Sequence, residues 1–383
     1  MSTRLKKQAT LLGCLFFYPS RRVGIDARRL TIPSLCSLHR RTKCGVSHQP
    51  RGAGFSCGSM HTACGILRQV LFVSLDFSNG KVYNTGEACN QADFSNEGTM
   101  RFVNYSVFYR DLKIHGLEYA ARHSRELGFE AVEFLDIVPF GELSPINRYS
   151  PDEVKRVLME YNLEVSCFSV AVNLDCEEHC EQLLRAVDYA ASIASPRFHH
   201  TVMAEMRRED IQKPYEEVFE TVYPYVARVA EHCRARGIEC LYEPQGFYFN
   251  GVEGLGRLFD RLSARFSNVG ICGDVANSLF VDVSAESIYN AFAKKIKHVH
   301  VKDYRMTDHP DPETAPYVSR GGTYLYDCPI GAGVTDFRYC FETLKAAGYR
   351  GDVSFEILGD DRTILQAIDY VKKLILSTME KPI

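Results

Sequence analysis

From Arg101 onward, apolar residues recur in two alternating patterns. Short runs rich in Val, Ile, Phe and Tyr predict strands, and longer stretches with apolar positions at i, i+3 and i+4 predict helices. Strands are read at 101–109 and then in "EAVEFLD", "EVSCFSV", "RFHHTVM", "GIECLYEP", "NVGICGD", "KHVHVKD" and "DVSFEIL". A helical stretch follows each. "SPDEVKRVLMEYN" opens with a Ser cap, a Pro in the first turn and two acids beside it, all favourable at a helix N-terminus. Gly128 suits the left-handed position that closes the preceding helix. After the seventh strand comes a 33-residue irregular connection, 303–335, rich in Tyr, Pro and Gly, which reads as a lid or an assembly surface.

Eight strand–helix pairs in residues 100–383 predict an α/β fold of the (β/α)8 TIM-barrel type. Buried parallel strands read as continuous apolar runs, as these do. A doubly wound sheet would carry a Gly-rich fingerprint after its first strand, and this sequence has none there.

Residues 1–99 show no sustained periodicity and read as an unstructured or non-native N-terminal extension. Their 13 Lys/Arg against 5 Asp/Glu contrast with 32 against 43 in the remainder. An Arg-rich, acid-poor start also suits an organellar transit peptide. "NEGTM" implies a purine-rich tract just before the Met100 codon, so Met100 is expected to be the natural start. The overall formal charge of −3 gives no general argument for nucleic-acid binding. No apolar run reaches the ~18–20 residues that span a bilayer. The later cysteines lack a paired CxxC framework and read as apolar packers in a reducing, cytoplasmic setting.

Barrel active sites lie at the C-terminal ends of the strands. Glu243 ends the fifth strand and Asp274 the sixth, while His300 and Glu356 lie late in the seventh and eighth. Singly, each has a plain role as a loop cap, a turn former, a core histidine or a partner for Lys302. Together they aim three carboxylates and one imidazole at one point, which is costly unless a cation sits there. Mixed carboxylate and imidazole donors suit Mn2+, with Mg2+ or Co2+ as alternatives.

"YEPQG", "GDVAN", "HVHVKD", "GAGVTDF" and "VSFEI" resemble the xylose-isomerase-like barrels, the sugar phosphate isomerase/epimerase group. The resemblance covers Met100 to about Ile375. It implies a metal held by Glu243, Asp274, His300 and Glu356, spaced here by 31, 26 and 56 residues. It selects His300 over His298 as the ligand. The implied activity is a divalent-metal-dependent sugar isomerase or epimerase working through a metal-stabilised enediolate, with Glu243 and Glu356 as the two acid/base residues. His200, in preference to His199, together with Lys302 and Asn277 is assigned to the substrate. Strand alternation lets only one of the two adjacent histidines face the interior. Lys302 is alternatively a structural partner of Asp303 or Glu356.

The pattern departs from the ketose 3-epimerases in two places. Asn277 stands where they commonly carry a histidine, and "PQGFYFNG" offers no counterpart to their substrate-gripping glutamate. A lyase is therefore the runner-up: the large subunit of enzymes that cleave C-glycosides, acting on 3-oxo-glucosides beside a small partner subunit, or an inosose-dehydratase-like enzyme. Abasic-site endonucleases share the scaffold but need further metal ligands and a basic groove. A non-catalytic binding barrel would be expected to lack a ligand. The expected partner is a small sugar or sugar-derived carbonyl compound, with a homo-oligomer or small partner subunit as further expectations.

Overall fold

The computed structural model describes residues 74–75, 82–83, 100–137, 144–206 and 212–379. The first two pairs form a short antiparallel ladder, Ser74–Leu75 with Val82–Tyr83, in a unit separate from the barrel. The expectation of an unstructured extension over 1–99 otherwise falls outside the described residues.

Eight parallel strands close into a barrel. They are β1 (Arg101–Asn104), β2 (Ala131–Asp136), β3 (Glu164–Val170), β4 (Arg197–His200), β5 (Glu239–Tyr242), β6 (Val269–Asp274), β7 (Ile296–Val301) and, after an excursion, β11 (Asp352–Phe355). β11 returns to pair with both β1 and β7. The helices are α1 (Ser106–His115), α2 (Leu117–Glu126), α3 (Pro151–Glu160), α4 (Glu177–Ser192), α5 (Tyr215–Ala235), α6 (Gly251–Ser263), α7 (Ala285–Phe292), α8 (Phe337–Ala346) and α9 (Asp361–Met379). None of the described helices is long and apolar enough to cross a membrane.

Local chemistry sets the helix starts. Ser150 accepts a hydrogen bond from the Glu153 N–H at 3.3 Å, with Pro151 in the first turn of α3. Asn250 caps α6, and its side-chain amide also donates to the Asn277 carbonyl at 2.9 Å, tying the β5 exit to the β6 exit. Gly128 adopts φ +87°, the left-handed conformation expected of it after α2. Gly246, at φ +66°, passes so close to Met203 that a Cβ would lie 1.9 Å from its carbonyl oxygen.

Phe134, Phe168 and Phe198 stack in series between strands and helices, with centroids 6.0 and 6.1 Å apart. Inside the barrel, Cys167, Leu241 and Cys272 form a small apolar cluster. At the N-terminal ends of the strands, Asp352 accepts from both Arg101 and Arg197.

Two expectations are corrected. Residues 105–109 do not extend the first strand: β1 ends at Asn104 and α1 begins at Ser106. Val107, Phe108 and Leu112 are buried from that helix, so tertiary packing overrides the strand propensity of an aromatic and β-branched run. The 303–335 connection is not irregular throughout. It contains an antiparallel sheet of β8 (Asp303–Thr307), β9 (Tyr317–Val318) and β10 (Tyr324–Cys328). The Asp303 carboxylate accepts N–H bonds from Gly331, Gly333 and Thr335 at 3.0, 2.8 and 3.2 Å, fastening the end of the excursion to its start. Asp303 is thus committed to this loop and is not the partner of Lys302.

Candidate metal centre

In-register pairing sets Asp274 level with His300, and His300 level with Ser354. Glu243 and Glu356 follow directly on β5 and β11. One ligand atom each from Glu243, Asp274, His300 and Glu356 lies within 4.8 Å of the others. His300 Nδ1 is 3.4 Å from Glu243 Oε2 and 3.5 Å from Glu356 Oε2.

The donor atoms are held from behind. Asp274 Oδ1 accepts the Ala276 and Asn277 N–H groups at 2.8 and 2.6 Å. Lys302 Nζ lies 2.9 Å from Glu356 Oε1 and 3.1 Å from Asp274 Oδ2. Beneath them Glu133, fully buried, accepts from His300 Nε2 at 3.0 Å, from His298 Nε2 at 2.7 Å, and from the hydroxyls of Ser169 and Ser354.

The same centre contains buried polar atoms with no hydrogen-bond partner, His300 Nδ1 and Glu243 Oε2, beside Asp274 Oδ2, whose neighbour is the Lys302 ammonium. Buried polar atoms are nearly always satisfied, and three converging acceptors are what a cation would satisfy. The residues present fit a divalent metal.

Environment separates the two glutamates. Burial raises the Glu356 carboxyl to about 7, with Asp274 reinforcing the shift and Lys302 opposing it. Burial acts in the same direction on Glu243, but His199 and His300 beside it hold it well below the ordinary carboxylate range.

The structure reverses the expected order of the two adjacent histidines. His199 points inward, with Nδ1 3.0 Å from Ser169 Oγ and Nε2 3.4 Å from Glu243 Oε1. His200 points outward against Phe198 and Tyr242, and its Nδ1 lies 2.9 Å from the Thr201 carbonyl oxygen. The expectation that His200 faces the barrel interior is therefore overturned, and His199 is the inward-facing histidine.

Asn277 and Lys302 line a cavity of about 220 Å3 that also takes in Gln245, Tyr304, Asp327 and Glu356. Both amide atoms of Asn277 and Oε1 of Gln245 are buried without a partner. Sequence reasoning passed over Glu133 and Gln245. Glu133 carried a usable signal, an acid within an apolar strand, but in the middle of the strand and not at its end.

A family model described as xylose isomerase-like TIM barrel matches residues 121–374. No curated protein matches the chain. Among solved structures, a xylose isomerase-like TIM barrel protein from Mycobacterium smegmatis in complex with magnesium is 17% identical, with a TM-score of 0.54 over 73% of this chain and 98% of that one. The IOLI protein with a bound zinc atom is 13% identical, with a TM-score of 0.57 over 74% of this chain and all of that one. An L-ribulose 3-epimerase is 15% identical, with a TM-score of 0.56 over the same shares. These likenesses concern the fold.

Proposed function

The chain belongs to the xylose isomerase-like TIM barrel family, and from that premise we propose that it is a metal-dependent sugar isomerase or epimerase that moves a proton beside a carbonyl. The observation that carries this reading is the convergence of Glu243, Asp274, His300 and Glu356 around partnerless acceptor atoms. A bound divalent cation supplies Lewis acidity toward a carbonyl and its neighbouring hydroxyl. Oxygen donors outnumber nitrogen three to one, which favours Mn2+, with Mg2+ or Co2+ as alternatives. That barrels of this fold hold magnesium, in the Mycobacterium smegmatis protein, and zinc, in the IOLI protein, supports the reading of a metal-binding barrel.

The chain's own residues divide the remaining work. Glu356, at the open side of the ligand arc with one oxygen held by Lys302, is placed to accept and return a proton. Glu243, reached from the other end of the ligand arc, is the second acid/base group. Lys302 fixes one oxygen of Glu356 and faces Asp274. Gln245 and Asn277 present unpaired polar atoms that suit the hydroxyl groups of a sugar, and His199 faces the same centre beside Glu243. The β8–β10 sheet contributes Tyr304 and Asp327 to the cavity wall, where it can exclude water.

Asn277, standing where the resemblance leads one to expect a histidine, favours elimination from a 3-oxo-glycoside or an inosose as the second reading. Both readings begin with abstraction of a C–H proton. The test is a panel of ketoses, inososes and 3-oxo-glycosides in deuterated water with added Mn2+, followed by NMR. Metal-dependent deuterium incorporation is expected for at least one member. Its absence across the panel, with metal bound, would overturn the reading.

A further inference from the structure

Glu133 lies in the barrel interior below the ligand ring, fully buried, and its hydrogen-bond partners are all donors. Its Oε1 receives His300 Nε2 and the Ser169 hydroxyl, and its Oε2 receives His298 Nε2 and the Ser354 hydroxyl. A carboxylate without a proton only accepts, so each histidine must carry hydrogen on Nε2. With Nε2 engaged by Glu133, Nδ1 is the nitrogen left to face the centre. For His300 it faces the Glu243 and Glu356 carboxylates at 3.4 and 3.5 Å, where a bound cation would take the place of a proton.

The ring is also clamped in place. Tyr105 stacks on it at 4.9 Å, and His298 and His199 meet it nearly edge-on at 5.2 and 5.5 Å. Rotation that exchanged the two nitrogens would break the Glu133 bond.

We propose that Glu133 is a positioning residue that fixes His300 in the Nε2–H tautomer, so that Nδ1 is the atom presented to the metal. In this assignment Glu133 is neither a metal ligand nor a substrate contact. It acts through His300, and the same carboxylate locks His298 as a second buttress. Carboxylates that hold a metal-bound histidine in this way fix both tautomer and ring orientation. The proposal rests on the metal reading above and goes beyond it by naming which ring nitrogen binds and what makes it do so.

The test uses the full chain, 15N-labelled at histidine and loaded with Zn2+, a diamagnetic ion. Long-range 1H–15N spectra are expected to show His300 metallated at Nδ1, with a slowly exchanging proton on Nε2. Metal on Nε2 would overturn the proposal while leaving the metal centre intact. Failure of the parent protein to bind Zn2+ would overturn the metal reading and this proposal with it. In Glu133→Leu, Zn2+ affinity is expected to fall about 10- to 100-fold, whereas Ser354→Ala, which removes one Glu133 contact and leaves the Glu133–His300 bond, stays near the parent. Parental affinity in a folded Glu133→Leu would also overturn it. Should that variant not fold, the parent spectrum alone decides.

Discussion

Lys302 Nζ bridges Glu356 Oε1 at 2.9 Å and Asp274 Oδ2 at 3.1 Å, so a single ammonium is shared by the last two strands to carry acidic ligands. The lysine is 6% exposed and Asp274 is fully buried. Removing one partner of a buried pair leaves uncompensated charge, at a cost of about 3–5 kcal/mol. Lys302→Met is therefore expected to lower the melting temperature of the metal-free protein. Mn2+ then replaces the missing positive charge, so it should raise the variant's melting temperature by more than it raises the parent's. Equal increments in calorimetry would show that the ammonium does not balance the ligand carboxylates.

Asp352 gives a prediction at the opposite end of the barrel. Burial alone would raise its carboxyl, but hydrogen bonds from Arg101 and Ser166 and the nearby charge of His298 bring it down to about 2. A folded-state value depressed below the ordinary 3.8 stabilises the fold above about pH 4. That contribution is lost as pH falls toward 2, and it amounts to roughly 2 kcal/mol. Asp352→Asn should lose about this much at pH 7. Thermal melts should show the gap between parent and variant closing between pH 4 and pH 2.

Much of this architecture was legible because parallel barrel strands are buried on both faces. The runs around Val132, Val299 and Val353 therefore read as uninterrupted apolar segments. The acids and histidine near the ends of those runs stood out against them. What was hidden depended on neighbours. The "RFHH" run has no apolar–polar alternation by which to phase it, so only pairing with β3 and β5 turns His199 inward. Glu133 resembles an ordinary strand residue until Ser169, His298 and Ser354 arrive from three other strands. The β8–β10 sheet is built of short strands separated by Pro and Gly, a pattern that local periodicity cannot distinguish from a loop.

β1 begins at Arg101 and pairs with β11 from its first residue, Arg101 facing Asp352. Barrel closure thus needs no strand before residue 101. A chain beginning at Met100 is expected to keep the parent's circular dichroism and melting temperature within a few degrees. It should also keep its metal content. Loss of cooperative melting in that truncation would show that the preceding residues contribute to the barrel.

Metal removal tests the ligand ring directly. Chelation by EDTA should abolish turnover, and Mn2+ should restore it. His300→Ala deletes the sole nitrogen donor of the four, so its metal affinity should fall by more than the ~10- to 100-fold typical of losing only a ligand's supporting partner. Parental metal content in this variant, measured by atomic emission, would place the ion elsewhere.

The two glutamates carry the sharpest chemical prediction. Gln preserves volume and one oxygen donor at either position but removes the basic oxygen. Metal occupancy should then fall modestly, while turnover falls by the ~10²–10⁴-fold typical of a lost general base. The two sites should nevertheless respond differently. In the metal-free protein burial and Asp274 raise the Glu356 carboxyl, whereas His199 and His300 hold Glu243 low, so the two carboxylates stand in different surroundings. An epimerase inverts a centre and needs a base on each side, so both variants should lose product while one still exchanges substrate hydrogen with solvent. An eliminating lyase needs one glutamate for C–H abstraction and the other for the leaving group, so only one variant should lose deuterium exchange. Deuterium exchange and product formation, measured together on Glu243→Gln and Glu356→Gln, therefore separate the two reactions. Near-parental turnover in either metal-replete variant would remove that residue from proton transfer and turn attention to His199, the nearest inward-facing histidine beside Glu243.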